Sequence, residues 1–188
     1  MIKIGITGSV ASGKTTASKI ISKNKGLLFN ADKVVRRLYR KKSFKKLVAK
    51  KLGFKYGPGF KKTLKNKILY KKENLNKLEK MIHPIVRNEM FLFKIKNKNQ
   101  KYLFFEIPLL IESKLTQYFD KIIFLKANKN IRLQRYKQNG GDDKLFKILD
   151  NNQIKDTLKM KICSHVIVNN KTFSILKKKL LNIIINNE

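Results

Sequence analysis

A chain of 188 residues, 42% of them hydrophobic and 10% aromatic, can bury one substantial core, which excludes two large independent domains and, despite a net charge of +33, intrinsic disorder. One cysteine and two histidines are too few for a disulfide scaffold or a tetrahedral structural zinc site. Only six of the 45 cations are Arg, and the lysines run along nearly the whole chain, a scatter that solvates exposed faces rather than building a surface for a specific nucleic acid.

Residues 3–7 are short, β-branched and apolar, as a buried strand is, and residues 8–15 follow as a Gly/Ser-rich turn. This early glycine and serine leave no apolar centre for a secretory leader, and no run nears the about 18 apolar residues of a membrane span. A cytoplasmic chain without membrane contact is expected. A helix is predicted over 15–24, with Ala17, Ile20 and Ile21 at core-facing spacing, and a strand over 27–29. Val35, Leu38, Tyr39, Leu47 and Val48 recur at helical intervals over 32–51, with a break near Lys42-Ser43, and 53–59 is a loop. Helical spacing returns over 64–70 and 75–92, where His83-Pro84 is expected to interrupt it.

Residues 102–107 and 121–125 are continuous apolar runs of strand length, which belong to a sheet covered on both faces. Helices are predicted over 130–138 and 144–160, separated by the turn Asn139-Gly140-Gly141-Asp142, then a strand over 165–168. Leu176, Leu180, Leu181 and Ile184 share one face of a terminal helix. Strands alternating with helices predict an α/β fold with a mainly parallel sheet, and the helical block from about 33 to 98 reads as an insertion.

Gly8-Ser9-Val10-Ala11-Ser12-Gly13-Lys14-Thr15 matches G-x-x-x-x-G-K-[ST] in full, with a strand before it and a helix after. Glycines let the backbone turn its amides inward, the helix presents its positive end, Lys14 adds a point charge, and the Thr15 hydroxyl is placed to ligate Mg²⁺. This is a nucleotide phosphate site. The guanine-reading Asn-Lys-x-Asp of a GTPase is absent, and a small chain with a helical insertion after its second strand favours a kinase for a small acceptor. Asp32, at the end of that strand, either orients the acceptor's hydroxyl or caps the next helix, and Arg36 one turn on suits a substrate phosphate. Glu106 closes a buried strand as a Walker B acid does and suits Mg²⁺; the alternative is a rim carboxylate paired with a lysine. Glu112 reads as an acceptor-pocket group or a surface salt bridge, and Cys163 as a small buried apolar residue. The Phe and Tyr residues at 91, 93, 102, 104 and 105 read as core.

On these residues the sequence resembles the dephospho-coenzyme A kinase family. Residues 7–15 are similar to its Thr-Gly-Gly-Ile-Gly-Ser-Gly-Lys-Ser/Thr, except that Ser9 and Ala11 stand where glycines are usual. Residues 30–36 resemble its Asp-Ala-Asp-x-x-x-Arg, with Asn30 for the first Asp. His83-Pro84-Ile85-Val86 and Glu106-Ile107-Pro108-Leu109-Leu110-Ile111-Glu112 resemble two further motifs. Leu133-x-Arg135 resembles the start of the lid, and Gln153 with Val166-Ile167-Val168-Asn169-Asn170 the closing segments. Two departures stand out: Asn139 occupies the usual place of a second lid Arg, leaving Lys137 or Lys144 as substitutes, and Cys163-Ser164 replaces Ala-Asp.

The resemblance implies a three-layer P-loop kinase fold with a five-stranded sheet, a core of about 1–32 and 99–188, an acceptor-binding insertion of about 33–98 and a lid of about 135–146. It implies transfer of phosphate from ATP to the ribose 3′-hydroxyl of dephospho-coenzyme A, the last step of coenzyme A biosynthesis, by a monomer. Gly8, Ser9, Val10, Ala11, Ser12, Gly13, Lys14, Thr15 and Thr16, with Arg135 and Asn169, would bind ATP. Asp32, Lys14 and Arg135 would be catalytic. Asp32, Arg36, His83, Pro108, Leu109 and Glu112 would meet the acceptor, and Thr15 and Glu106 would hold Mg²⁺. The competing expectations are a nucleoside monophosphate or other small-molecule kinase, and a basic RNA-binding protein with a vestigial phosphate loop.

Overall fold

The computed structural model of the chain describes residues 1–23 and 25–185, the last two of these by backbone alone. They fall into two compact units, one formed by Met1–Asn30 with Phe93–Glu188 and the other by Ala31–Leu92. None of the described helices is long and apolar enough to cross a membrane.

The first unit is built on one sheet. β1 (Ile2–Gly8), β2 (Leu27–Asn30), β3 (Tyr102–Glu106), β4 (Lys121–Lys126) and β5 (His165–Val168) lie in the order β2-β3-β1-β4-β5, with every pairing parallel. Alternation along the strands sends Ile4, Ile6, Phe104, Ile123, Leu125 and Ile167 to one face, where Ala17 and Ile21 of α1 (Lys14–Ser22) and Leu176 and Leu180 of α9 (Phe173–Ile185) complete the core. On the other face Phe29, Phe93 and Phe105 meet at ring distances of 5.6–5.9 Å, and Phe119 stands edge-on to Phe105 at 5.3 Å. A side chain on Gly5 would come within 2.6 Å of Leu110, so the glycine is what lets Leu110 seat on the sheet. Burial on both faces is why the strands read as unbroken apolar runs.

Parallel pairing places all strand carboxyl ends at one edge. There Gly8 lies opposite Leu125, and Glu106 lies opposite both Ile6 and Asn30. The chain leaves β1 toward β2 on one side, whereas β3 crosses to β4 on the other, and the crevice at such a reversal is where doubly wound sheets bind ligands.

Two expectations are corrected. The helix predicted over 144–160 is two helices, α7 (Asp143–Asn151) and α8 (Asp156–Ile162). The Asn151-Asn152 pair ends the first, and the linker is held open by distant contacts: Gln153 accepts a hydrogen bond from Val10, and Ile154 donates one to Glu112. The interruption predicted at His83-Pro84 does not occur, because α5 (Glu73–Lys96) runs through it. Proline removes one hydrogen bond there, while Leu75, Leu78, Ile82, Val86 and Met90 are buried before and after it and keep both halves in register. Of the expected helix ends, Asn24 lies outside the described residues, as does the side chain of Ile184.

In the second unit α2 (Ala31–Arg40) and α3 (Lys42–Lys51) are separated at Lys41, and α4 (Phe60–Tyr70) follows the loop expected over 53–59. Its core is mostly aliphatic, with Val34, Leu38, Val48, Leu64, Ile68 and Leu78 buried, and a cluster of rings flanks it: Tyr39 meets Phe44 edge-on at 5.5 Å, and Phe60 gathers Tyr39, Phe54 and Tyr56 within 6.3 Å. Burial pushes the Tyr39 hydroxyl up to about 12, so it stays neutral.

Candidate active site

The loop between β1 and α1 has little freedom. A side chain at Gly8 (φ 152°) would lie 2.4 Å from the Leu125 carbonyl, and one at Gly13 (φ 97°) would lie 2.3 Å from Asn169 Nδ2. Both positions need glycine. Ala11 also adopts a left-handed backbone, φ 57°, which costs a residue with a Cβ roughly 1 kcal/mol. Asn169 Nδ2 donates to the Ser12 carbonyl at 2.9 Å, and Lys14 Nζ donates to the carbonyls of Gly8 and Ser9 at 3.0 and 2.8 Å. Two donors beside the loop are buried without a hydrogen-bond partner: Ser12 Oγ, and Nη1 of Arg135, about 4 Å from where a Cβ on Gly13 would stand. Unpaired buried donors beside a lysine and a helix N-terminus form a site for an anion.

Glu106, only 1% exposed, closes β3 just below this loop. Its Oε1 accepts from Thr15 Oγ1 at 2.6 Å, and its Oε2 accepts from Ser18 Oγ at 2.7 Å and from Asn30 Nδ2. It is neither at the rim nor paired with a lysine, because the alternation of β3 turns it inward, against α1 and β2. Asn30 donates where an Asp would set a second negative charge against it. Among the described residues no three His, Cys, Asp or Glu side chains cluster to hold a metal. Thr15 and Glu106 nevertheless offer adjacent hard oxygens, which suits Mg²⁺, an ion that takes few protein ligands and completes its shell with water and phosphate oxygens.

α6 (Lys129–Gln138) carries Arg135 and, one turn earlier, a residue that no motif flagged. Arg132 is buried, with Nε donating to the Ala127 carbonyl at 3.1 Å, Nη1 donating to the Val10 carbonyl at 3.3 Å and pairing with Asp150 at 2.5 Å, and its guanidinium lying over the Phe146 ring. Gln153 Oε1 accepts from Val10 N–H at 3.2 Å, and Ser9 Oγ donates to Asp156. Asn139, where the resemblance leads to the expectation of a lid Arg, caps α6 by donating to the Arg135 carbonyl at 2.8 Å. Lys137 pairs with Asp143 at 2.9 Å on the surface, and Lys144 is exposed.

Glu112 is not a surface ion pair. Its Oε1 lies 2.6 Å from Lys159 Nζ, which is 0% exposed, and accepts from Ile154 N–H at 3.2 Å. Pro108 and Leu109, just ahead of it, are half-buried, and the Pro108 carbonyl accepts from Thr7 Oγ1 at 3.0 Å. Cys163 is half-buried rather than fully buried, with its thiol pushed up to about 11 by that burial. Three candidates belong to the second unit. Asp32 is exposed in the first turn of α2, inside the helix rather than capping it; Arg36 is exposed one turn later; His83 is half-buried in α5.

Residues 2–174 match the family model described as dephospho-CoA kinase. The dephospho-CoA kinase of Fusobacterium nucleatum is 33% identical over 186 residues, covering 94% of each chain. That of Rickettsia typhi is 37% identical over 139 residues, covering 72% of this chain and 70% of its own. The solved dephospho-CoA kinase from Campylobacter jejuni superposes with a TM-score of 0.65 at 24% identity, over 97% of this chain and 94% of that one, a likeness of fold.

Proposed function

Since the chain belongs to the dephospho-CoA kinase family, it is a kinase of the last step of coenzyme A biosynthesis, and we propose how its own residues divide that work. The observation that carries the reading is the pair of unpartnered buried donors, Ser12 Oγ and Arg135 Nη1, set around a loop with Lys14 at its mouth. In this reading the loop residues 8–16 cradle the phosphates of ATP, Lys14 draws the β and γ groups, and Arg135 meets the charge that develops on the phosphoryl group in flight. Thr15 and Glu106 would hold Mg²⁺. That ion supplies neutralisation of the phosphate oxygens.

Asp32 orients the ribose 3′-hydroxyl toward the γ-phosphorus; the new O–P bond forms as the bridging O–P bond to ADP breaks, and the hydroxyl proton passes to the Asp32 carboxylate. Phosphoryl transfer is loose, so orientation weighs more than basicity. Arg36, His83, Pro108 and Leu109 line the acceptor side, within an insertion of about 33–98 and the segment after β3, while Glu112, expected there from the resemblance, is closed on Lys159 and holds that segment in place. A lid of about 135–146 carries Arg135 and limits loss of phosphate to water. Asn169 supports the loop from behind. The enzyme works as a cytoplasmic monomer whose partners are ATP and dephospho-coenzyme A, with no specific nucleic acid.

The test is ADP release over a panel of acceptors: turnover is expected with dephospho-coenzyme A, and turnover with nucleoside monophosphates alone would end the assignment. Asp32→Asn keeps the shape and is expected to lower kcat by about 10² while ATP binding holds. Wild-type turnover in that variant would remove Asp32 from the chemistry.

A further inference from the structure

The phosphate loop departs from the glycine-rich pattern it resembles at two positions, and each departure has a counterpart in the fold. Ala11 holds a left-handed backbone, φ 57°, that glycine adopts freely and alanine does not. Ser9 carries a hydroxyl that glycine lacks, and this hydroxyl donates to Asp156 in the first turn of α8, 147 residues further along. Between them Val10 is held at both backbone atoms, its N–H by Gln153 and its carbonyl by Arg132. Three side chains from the α6 to α8 stretch thus grip the two residues that precede the strained one. None of the three is part of the anion cradle itself.

We propose that Asp156 is a positioning residue for nucleotide binding: its clasp on Ser9, together with Gln153 and Arg132, keeps Ala11 in its left-handed state and so keeps the loop in its phosphate-binding shape. This rests on residues 8–15 being the ATP cradle, and adds what holds that cradle where two glycines are missing. If Asp156 lets go, Ala11 relaxes toward negative φ and turns the amides of Ser12 and Gly13 away from the phosphate position. Only the fraction of molecules with the loop in place then binds, which weakens apparent affinity by that fraction. Lys14 and Asp32 are untouched, so chemistry in the bound state keeps its rate. A carboxylate serving merely as a favourable charge at the start of α8 would alter stability without moving ATP affinity.

Calorimetric titration with ATP and Mg²⁺, joined to steady-state kinetics with dephospho-coenzyme A, tests this. Asp156→Ala is expected to weaken ATP about tenfold and raise its KM equally, with kcat within about twofold. Asp156→Asn keeps an oxygen for the Ser9 hydroxyl and should restore most of the affinity. Placed in an Ala11→Gly background, Asp156→Ala should cost less than about threefold, because glycine needs no holding. Should Asp156→Ala fail to fold, Ser9→Gly removes the donor, leaves α8 intact, and carries the same tenfold expectation. An ATP affinity unchanged in folded Asp156→Ala, or a loss undiminished by Ala11→Gly, overturns the proposal while leaving the kinase reading in place. A wild-type protein that binds no ATP overturns both.

Discussion

Glu106 and Glu112 follow one another along the same stretch of chain, both are withdrawn from water, and their surroundings are opposite in kind. Glu106 is met by three neutral donors, Thr15, Ser18 and Asn30, which satisfy its oxygens without cancelling its charge. Glu112 is met by the buried ammonium of Lys159, which cancels the charge within the pair. A carboxylate solvated by hydroxyls and an amide keeps a negative potential that a cation can use, whereas one closed on a lysine ties two segments together. Burial alone does not separate an acid that keeps its field from one that spends it on a neighbour; the charge of its partners does.

The contrast is broken most strongly at Glu106. Glu106→Gln keeps the size and most hydrogen bonds but removes the charge; kcat is expected to fall by about 10² or more, with a raised Mg²⁺ requirement and a melting temperature near wild type. Turnover at the wild-type rate at low Mg²⁺ would show that the charge does no work. At Glu112 the outcome should invert. Glu112→Gln strands the Lys159 ammonium in the interior and is expected to cost about 3 kcal/mol in denaturant unfolding, with turnover per folded molecule little changed. Adding Lys159→Met should recover much of that stability, and failure to recover it would mean the ammonium was not the cause.

The smallest effect concerns Cys163, close to Lys159 in the chain. Burial raises its thiol from 9.0 to about 11, so above pH 9 the unfolded chain gives up the proton while the folded one keeps it. Its contribution to stability is therefore full below pH 9 and fades as the pH climbs toward 11. Cys163→Ala should flatten that part of the stability profile by a fraction of a kcal/mol, since the site is half open to water. An identical profile in the two proteins would show the shift to be absent.

What the sequence made legible was what the chain encodes over short distances. The phosphate loop has its glycines, lysine and threonine within eight consecutive residues, and Glu106 stood out as a carboxylate ending an apolar strand, which is where the structure buries it beside Thr15. Arg132, Asp156 and Lys159 escaped notice because each takes its meaning from a distant partner, 122 residues away for Arg132 and Val10 and 147 for Asp156 and Ser9. Nothing local separates them from the other cations and acids of a lysine-rich chain. The misread breaks have the same origin. Pro84 obeys a local rule that the apolar face of α5 overrides, and at the α7–α8 junction the weak local signal of Asn151-Asn152 becomes a break only with the distant contacts of Val10 and Glu112.

Lys14 illustrates a last consequence of this loop. A lysine stem carries about 2 kcal/mol of rotamer entropy, and on an open surface that entropy would be lost each time a triphosphate is captured. Here the ammonium already rests on the Gly8 and Ser9 carbonyls, so the side chain is immobilised when the polypeptide folds. With Lys14 in its proposed role, capture of a triphosphate is an exchange of oxygen partners instead of a conformational search, and the entropic penalty falls on folding.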